Sequence, residues 1–263
     1  MTLEDGNYIE NSQVLYNEEF YRVNLSGMDT SARILASAIL ETIGRDRIRS
    51  IVDVGCGAGA LLFAFQELGV QKILGIDGSW AKSKYQLLRG DQFLSTDLRN
   101  PKVNMSSKFD LVVSTEVAEH IESEFAANFI DFLVSLGDLI VFSSAIPGQG
   151  GTHHVNEQWQ SYWEKLFADR GYNPLDIIRP KLWNNGLVHT HYKQNLLIYI
   201  KNGSDDYKEI QASYGGYSNY RILNMVHPET FAYYNNPKHY GIKKSVLGLV
   251  SGLANFVGRP FRK

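Results

Sequence analysis

The chain has 263 residues, of which 44% are hydrophobic and 21% charged, enough to bury a sizeable core as one large globular domain with or without appendages. A formal net charge of −2 leaves no surplus of Lys and Arg to meet phosphates, which argues against a nucleic-acid partner.

The start, Met1-Thr2-Leu3-Glu4-Asp5, has neither a basic nor an apolar leader, and no apolar run along the chain is long enough to span a bilayer. A cytoplasmic protein is therefore expected. The single Cys56 excludes an internal disulfide and fits a reducing compartment. Residues 1–28 are polar and Tyr-rich and read as a loose lead-in. Thr30 or Ser31 then caps a helix whose apolar positions, Ile34, Leu35, Ala38, Ile39 and Ile43, recur at helical spacing and stop at Gly44.

Strands and helices alternate from there. Residues 50–54 read as a first strand, followed by a glycine turn and a helix that Gly69 ends. Lys72 to Asp77 is a second strand, Gln92 to Ser95 a third, Phe109 to Ser114 a fourth and Asp138 to Ser143 a fifth. A helix from Glu119 to Leu136 precedes the fifth strand, and another from Glu157 to Gly171 follows it. This rhythm predicts a doubly wound α/β fold, a mostly parallel sheet with helices on both faces. Leu175 to Ile178 and Asn195 to Ile200 read as closing strands, which makes seven. Residues 201–240 carry no clear period, and Lys243 to Arg259 returns to helical spacing. The expected division is a lead-in over 1–28, a main domain over 29–200 and an extension over 201–263, with helical additions at both ends.

The ligand signal lies at Asp53-Val54-Gly55-Cys56-Gly57-Ala58-Gly59. Glycines at alternate positions let the backbone turn and approach a ligand closely, and the next helix aims its free N–H groups at that ligand. Gly55, Gly57 and Ala60 also satisfy the looser dinucleotide pattern, so a nicotinamide-dependent oxidoreductase stays open as an alternative. Three acids weigh against it. Asp53, just inside the strand, would repel a pyrophosphate and suits an ammonium group. Asp77, with Gly78 after it, ends strand two where an acid accepts from ribose hydroxyls. Asp97-Leu98 follows strand three, where a carboxylate can accept from an adenine amino group and a backbone N–H can serve a ring nitrogen.

Over about Ser50 to Ser144 the chain resembles the class I S-adenosylmethionine-dependent methyltransferases. The glycine loop, Asp77, Asp97 and the run Phe109-Asp110-Leu111-Val112-Val113-Ser114-Thr115-Glu116-Val117-Ala118-Glu119-His120-Ile121 carry the likeness. The resemblance implies a Rossmann-like seven-stranded fold, S-adenosyl-L-methionine as cofactor, and a pocket held by Asp53, Gly55, Cys56, Gly57, Gly59, Asp77, Gly78, Asp97, Leu98, Thr115, Glu116, Val117 and His120. A second, shorter likeness is to bacterial methyltransferases of surface-glycan pathways. It rests on Pro147-Gly148-Gln149-Gly150-Gly151-Thr152-His153-His154-Val155-Asn156-Glu157-Gln158-Trp159.

That segment is expected to build the acceptor pocket, because loops at this edge of a sheet carry binding groups. Removing a proton from an acceptor hydroxyl near neutral pH suits histidine. His154 is the first candidate base and His153 the second, with Glu157 or Asn156 orienting the ring. Trp159, Tyr162 and Trp163 could stack on a sugar, although Trp163 four residues after Trp159 equally suits core packing. His153, His154, Glu157, His189 and His191 offer metal-ligand chemistry, but the absence of an acid cluster favours no metal. O-methylation of a sugar or another small hydroxylated acceptor in a glycan or secondary-metabolite pathway is the expected reaction, with a non-catalytic cofactor-binding protein as a further alternative. The apolar stripe Val246, Leu249, Val250, Leu253, Phe256 and Val257, flanked by basic residues, reads either as a helix packed on protein or as peripheral membrane contact through 243–263.

Overall fold

The computed structural model describes residues 18–81, 86–214 and 223–236. Its contacts divide the chain into two units, Met1–Met225 and Val226–Lys263. The first unit is built on a seven-stranded sheet: β1 (Ser50–Val54), β2 (Lys72–Asp77), β3 (Phe93–Ser95), β4 (Leu111–Thr115), β5 (Leu139–Ser143), β6 (Tyr172–Leu175) and β7 (Leu197–Lys201). The order is β3-β2-β1-β4-β5-β7-β6. Strands β1 to β5 pair in parallel, and β7 runs antiparallel to both β5 and β6. This is a Rossmann-like methyltransferase architecture.

Period-2 alternation along buried strands assigns side chains to two cores. Ile51, Val113, Val141 and Ile198 pack with Leu35, Ile39 and Phe65 of α1 (Glu18–Ile43) and α2 (Ala60–Glu67). Val52, Val112, Ile140 and Phe142 face the other way, onto Phe129 and Leu133 of α3 (Ala126–Leu136) and Trp163 and Phe167 of α4 (Gln160–Ala168). Trp163 is therefore core, 1% exposed, while Trp159 stays 40% exposed. The chain leaves β1 toward β2 on one side and returns to β4 on the other. Their carboxyl ends thus flank the switch point at which such sheets bind ligands.

Several predicted boundaries move, each for a visible reason. Helix α1 begins at Glu18, so neither Thr30 nor Ser31 starts it. Ser31 is buried inside it, where its hydroxyl donates to the Leu187 carbonyl and accepts from the His189 N–H. The helix ends at Ile43 as expected, with Gly44 at φ 104°. The predicted helix from Glu119 breaks into short 3₁₀ turns at Ala118–His120 and Ser123–Phe125 before α3. The Glu119 carbonyl accepts instead from the amides of Val155 and Asn156, 2.9 and 3.0 Å away, which binds this turn to the loop after β5. Helix α4 starts at Gln160 rather than Glu157, whose carboxylate is committed to that loop. The first closing strand slides back to Tyr172–Leu175, an edge position that tolerates Pro174. Ile177 and Ile178 are buried beyond it, leading into α5 (Arg179–Leu182). Helix α6 (Thr190–Asn195) precedes β7, and α7 (Asp205–Tyr214) follows it.

In the second unit, α8 (Pro228–Tyr234) has His227 as N-cap, its Nδ1 accepting from the Glu229 N–H at 3.2 Å. The predicted helix over 243–259, and with it the membrane contact, lies outside the described residues. No described helix is long and apolar enough to cross a membrane.

Candidate functional site: a cavity at the switch point

A cavity of about 410 Å³ opens at the carboxyl ends of β1, β2 and β4, within the range of small-molecule sites. Two of its walls are backbone. Gly55 sits at φ +83°, and a Cβ there would come within 2.3 Å of Val117 Cγ2. The glycine turn from β1 and the exit of β4 can approach this closely because the position carries no side chain. Gly59 caps α2 at φ 84° in the left-handed region. The turn is braced from outside by Gln86, whose Nε2 donates to the Gly57 carbonyl at 2.9 Å.

The acids separate by environment. Asp77 accepts from the Gly57 N–H on Oδ2 (2.7 Å) and from the Gly78 N–H on Oδ1 (2.6 Å), leaving lone pairs toward the cavity. Burial pushes its pKa up to about 6 against those two bonds. Asp53 is 4% exposed, and its Oδ1 has no hydrogen-bond partner among the described residues. Burial first, and the Asp77 charge second, push it up to about 8. A buried carboxyl lacking a partner suits an incoming ammonium group, so this end fits the amino-acid part of S-adenosylmethionine and opposes a pyrophosphate. Asp97 is elsewhere engaged: Arg99 holds both carboxylate oxygens, the shortest contact being 2.7 Å, and the cavity is lined by Leu98 instead. Of the other predicted cofactor residues, Gly55, Cys56, Gly57, Thr115, Glu116, Val117 and His120 line the cavity, whereas Gly59 and Gly78 do not.

The far end is assembled by the β4 exit, the loop after β5 and α6. Glu116 holds a positive φ of 55°, uncommon for a side-chain-bearing residue. Its carboxylate accepts from Gln149 Nε2 (3.0 Å) and Asn195 Nδ2 (3.1 Å), and those two amides are bonded to each other. Three residues on, Glu119 is fully buried. Neither of its carboxylate oxygens has a well-formed hydrogen bond among the described residues; its own N–H, the Ser144 hydroxyl and the Ala145 amide offset only part of the burial. Burial, with Glu116 adding to it, holds this carboxyl well above its ordinary range.

His154 Nδ1 bonds Glu157 Oε1 at 2.9 Å, and its Nε2 stands 4.0 Å from Glu119 Oε1. Glu157 also accepts from the N–H groups of Gly148 (2.7 Å) and Gly150 (2.6 Å), so one carboxylate shapes the loop and fixes the ring. His120 Nδ1 lies 3.2 Å from the His153 carbonyl, and the His120 and His154 rings meet edge to face at 4.9 Å. Burial, then His154, lowers the His120 pKa to about 4, so its imidazole is neutral at pH 7. With Nδ1–H donating to that carbonyl, Nε2 keeps its lone pair. Ligand atoms of Glu119, His120 and His154 lie within 4.8 Å of one another, a set able to hold a divalent cation.

The fold thus brings His154 and Glu157 together as predicted, while His153, exposed and with its carbonyl in use, also lines the cavity. Besides His191, weighed above as a metal ligand, the wall includes residues not singled out from sequence: Glu119, Gln149 and Tyr192. Tyr192 is half-buried in the wall with its hydroxyl bonded to Thr115. Glu119 stood inside the recognised run, three residues after Glu116, but nothing in the spacing says that it faces a histidine beyond β5.

Residues 28–143 match the family model described as a methyltransferase domain. A ubiquinone biosynthesis O-methyltransferase of Rhodopseudomonas palustris (strain TIE-1) is 37% identical over 151 residues, which is 49% of this chain and 58% of that protein. The chain therefore spans a little over half the length of that curated relative. A mitochondrial ubiquinone biosynthesis O-methyltransferase of Dictyostelium discoideum is 29% identical over 99 residues, 32% of this chain and 30% of that one. In fold, a sugar N-methyltransferase from Streptoalloteichus sp. ATCC 53650 superposes with a TM-score of 0.53 at 14% identity, covering 70% of this chain and 92% of that one. A SAM-bound amino pentose methyltransferase from Micromonospora echinaspora gives 0.52 at 14% identity, covering 70% and 97%. Residues 28–143 are thus similar to a methyltransferase domain, and the fold is shared with the two sugar methyltransferases.

Proposed function

We propose that this chain transfers a methyl group from S-adenosylmethionine to a hydroxyl of a small acceptor, a sugar or similar polyhydroxylated molecule. The observation that carries the reading is His154. Its Nδ1 is committed to Glu157, and its Nε2 opens into the same cavity as the glycine turn and the acids that grip the cofactor.

The cofactor, when bound, supplies an electrophilic methyl carbon on sulfur and a neutral thioether leaving group. The protein must bring the acceptor oxygen in line and take its proton. Asp53 and Asp77 would hold the cofactor's ammonium and ribose ends, and the bare backbone at Gly55 would allow its close approach. His154 Nε2 accepts the hydroxyl proton, and Glu157 stabilises the imidazolium formed. Leu35, Leu61 and Ile121 in the cavity wall keep water from competing for the methyl group. The hydroxyl is chosen over an amine because a buried base is needed for it, and because the R. palustris relative is named an O-methyltransferase. The sugar rests on the likeness of the 147–159 segment to surface-glycan methyltransferases. Cytoplasmic location belongs to the same proposal.

Incubation with methyl-labelled cofactor and a panel of glycan precursors, nucleotide sugars and phenols tests this, with products read by mass spectrometry. Label on a hydroxyl oxygen is expected, and label on nitrogen alone would overturn it. Binding of NAD(H) but not S-adenosylhomocysteine in calorimetry would restore the oxidoreductase alternative.

A second reading adds a divalent cation at Glu119, His120 and His154. It is favoured by the Glu119 carboxylate, fully buried and lacking a well-formed bond, beside two rings whose Nδ1 atoms are tied to oxygens. There the cation would serve as a Lewis acid for the acceptor hydroxyl, and His154 would be its ligand rather than a base. Mn²⁺ or Zn²⁺ should then raise the melting temperature of the wild type and not of Glu119→Gln. Equal shifts in both would remove this reading and leave His154 as base.

A further inference from the structure

We infer that Gly151 is a positioning residue for His154, a role that rests on His154 acting at the acceptor. A Cβ built on Gly151 would fall 2.2 Å from His154 Nε2, 2.5 Å from Cε1 and 2.8 Å from Cδ2. Those three similar distances place it over the face of the ring near Nε2, since a point reached along the ring plane would stand farther from both carbons. Bare backbone at 151 is thus the floor on which the imidazole lies.

The remaining sides of the ring are restrained too. Glu157 holds Nδ1 at 2.9 Å, and the His120 ring meets it at an interplanar angle of 83°. With the floor, edge and neighbour fixed, Nε2 is left pointing into the cavity, 4.0 Å from Glu119 Oε1.

The glycine is not needed for its conformational freedom. Gly148 and Gly150 adopt positive φ, and Gly151 does not. It is also exposed, so a methyl group there meets no core and forces no strained backbone. What must give way is the ring, the mobile end of a side chain. Gly151→Ala therefore leaves the fold intact and tilts Nε2 away from its working position. Misplacing a reacting group by about 1 Å costs up to roughly 100-fold in rate.

The experiment compares Gly151→Ala, His154→Ala, the double variant and Gly90→Ala in the full chain. Gly90 is exposed, without positive φ, and has no heavy atom within 4 Å of its would-be Cβ, so it controls for the Gly-to-Ala change itself. Gly151→Ala should lower kcat about tenfold to 100-fold, with KM for S-adenosylmethionine within about twofold and a melting temperature matching Gly90→Ala. It should shift the His154 ring resonances in histidine-labelled NMR spectra. Added to His154→Ala, it should cost nothing further. A kcat equal to that of Gly90→Ala, unchanged ring resonances, or an equal loss on the His154→Ala background would each overturn the inference. If kcat falls in His154→Ala and not in Gly151→Ala, the positioning role alone fails. If neither variant changes kcat, the reading of His154 fails with it.

Discussion

The two ends of the cavity are made by different means. At the cofactor end the contacts come from consecutive residues at the tips of neighbouring strands. Register between β1 and β2 sets Asp53 opposite Gly75, two residues before Asp77, and the Gly57 N–H reaches across to close the gap. At the acceptor end the side chains come from loops and a helix. Glu119 comes from a turn after β4, His154 and Glu157 from the loop after β5, and Asn195 from the end of a helix before β7. One end is fixed by pleat and register, which any sequence forming this sheet inherits. The other depends on side chains gripping one another across long separations, and a change in one of them should propagate.

The sharpest way to break this comparison is at His154. His154→Ala should reduce kcat by about 100- to 10,000-fold, the usual worth of a general base, while calorimetry with S-adenosylhomocysteine returns a Kd within about twofold of wild type. A large loss of cofactor affinity would mean the two ends are one unit and the comparison is false. Asp77→Asn should do the converse, weakening S-adenosylhomocysteine binding by about tenfold to 100-fold, because an amide offers one acceptor oxygen where the carboxylate offers two. Saturating cofactor should then restore most of kcat. Failure to restore it would give Asp77 a part in orienting the acceptor.

The same division decides what could be read from the sequence. Strand identity, the parallel pairing of β1 to β5 and the position of acids 53 and 77 at strand ends were legible because period 2, glycine spacing and strand ends are local signals. The pairing of His154 with Glu157 was legible too, since it spans three residues. Asp97 stands after β3 as expected, and its ion pair with Arg99, two residues on, is a partner that spacing does not reveal. Glu119, Gln149 and Asn195 were illegible for a stronger reason. Their partners lie on elements separated by an entire strand and helix, and only the antiparallel return of β7 beside β5 brings α6 to the cavity. The start of α4 was misplaced on the same ground, because the side chain that would have begun the helix is bonded backward into the loop.

The smallest effect is also the one that isolates the cofactor end most cleanly. With a pKa of about 8 in the free protein, Asp53 is mostly protonated at pH 7, and bringing the cofactor's ammonium against it requires the carboxylate. Binding therefore releases a proton, and affinity should rise with pH while Asp53 titrates. The ionised fraction goes from about one in eleven at pH 7 to one half at pH 8, so Kd for S-adenosylhomocysteine should tighten about fivefold over that unit. Asp77, at about 6, is already ionised there and adds to the slope only below pH 7. The folding linkage has the opposite sign: a carboxyl whose folded pKa is raised binds its proton more firmly when folded. Stability of the free protein is then lost as pH climbs from the unfolded value of 3.8 toward 8. Asp53→Asn should flatten both trends. Titration calorimetry in two buffers of different ionisation enthalpy measures the released proton directly, and a pH-independent Kd would remove Asp53 from the ammonium.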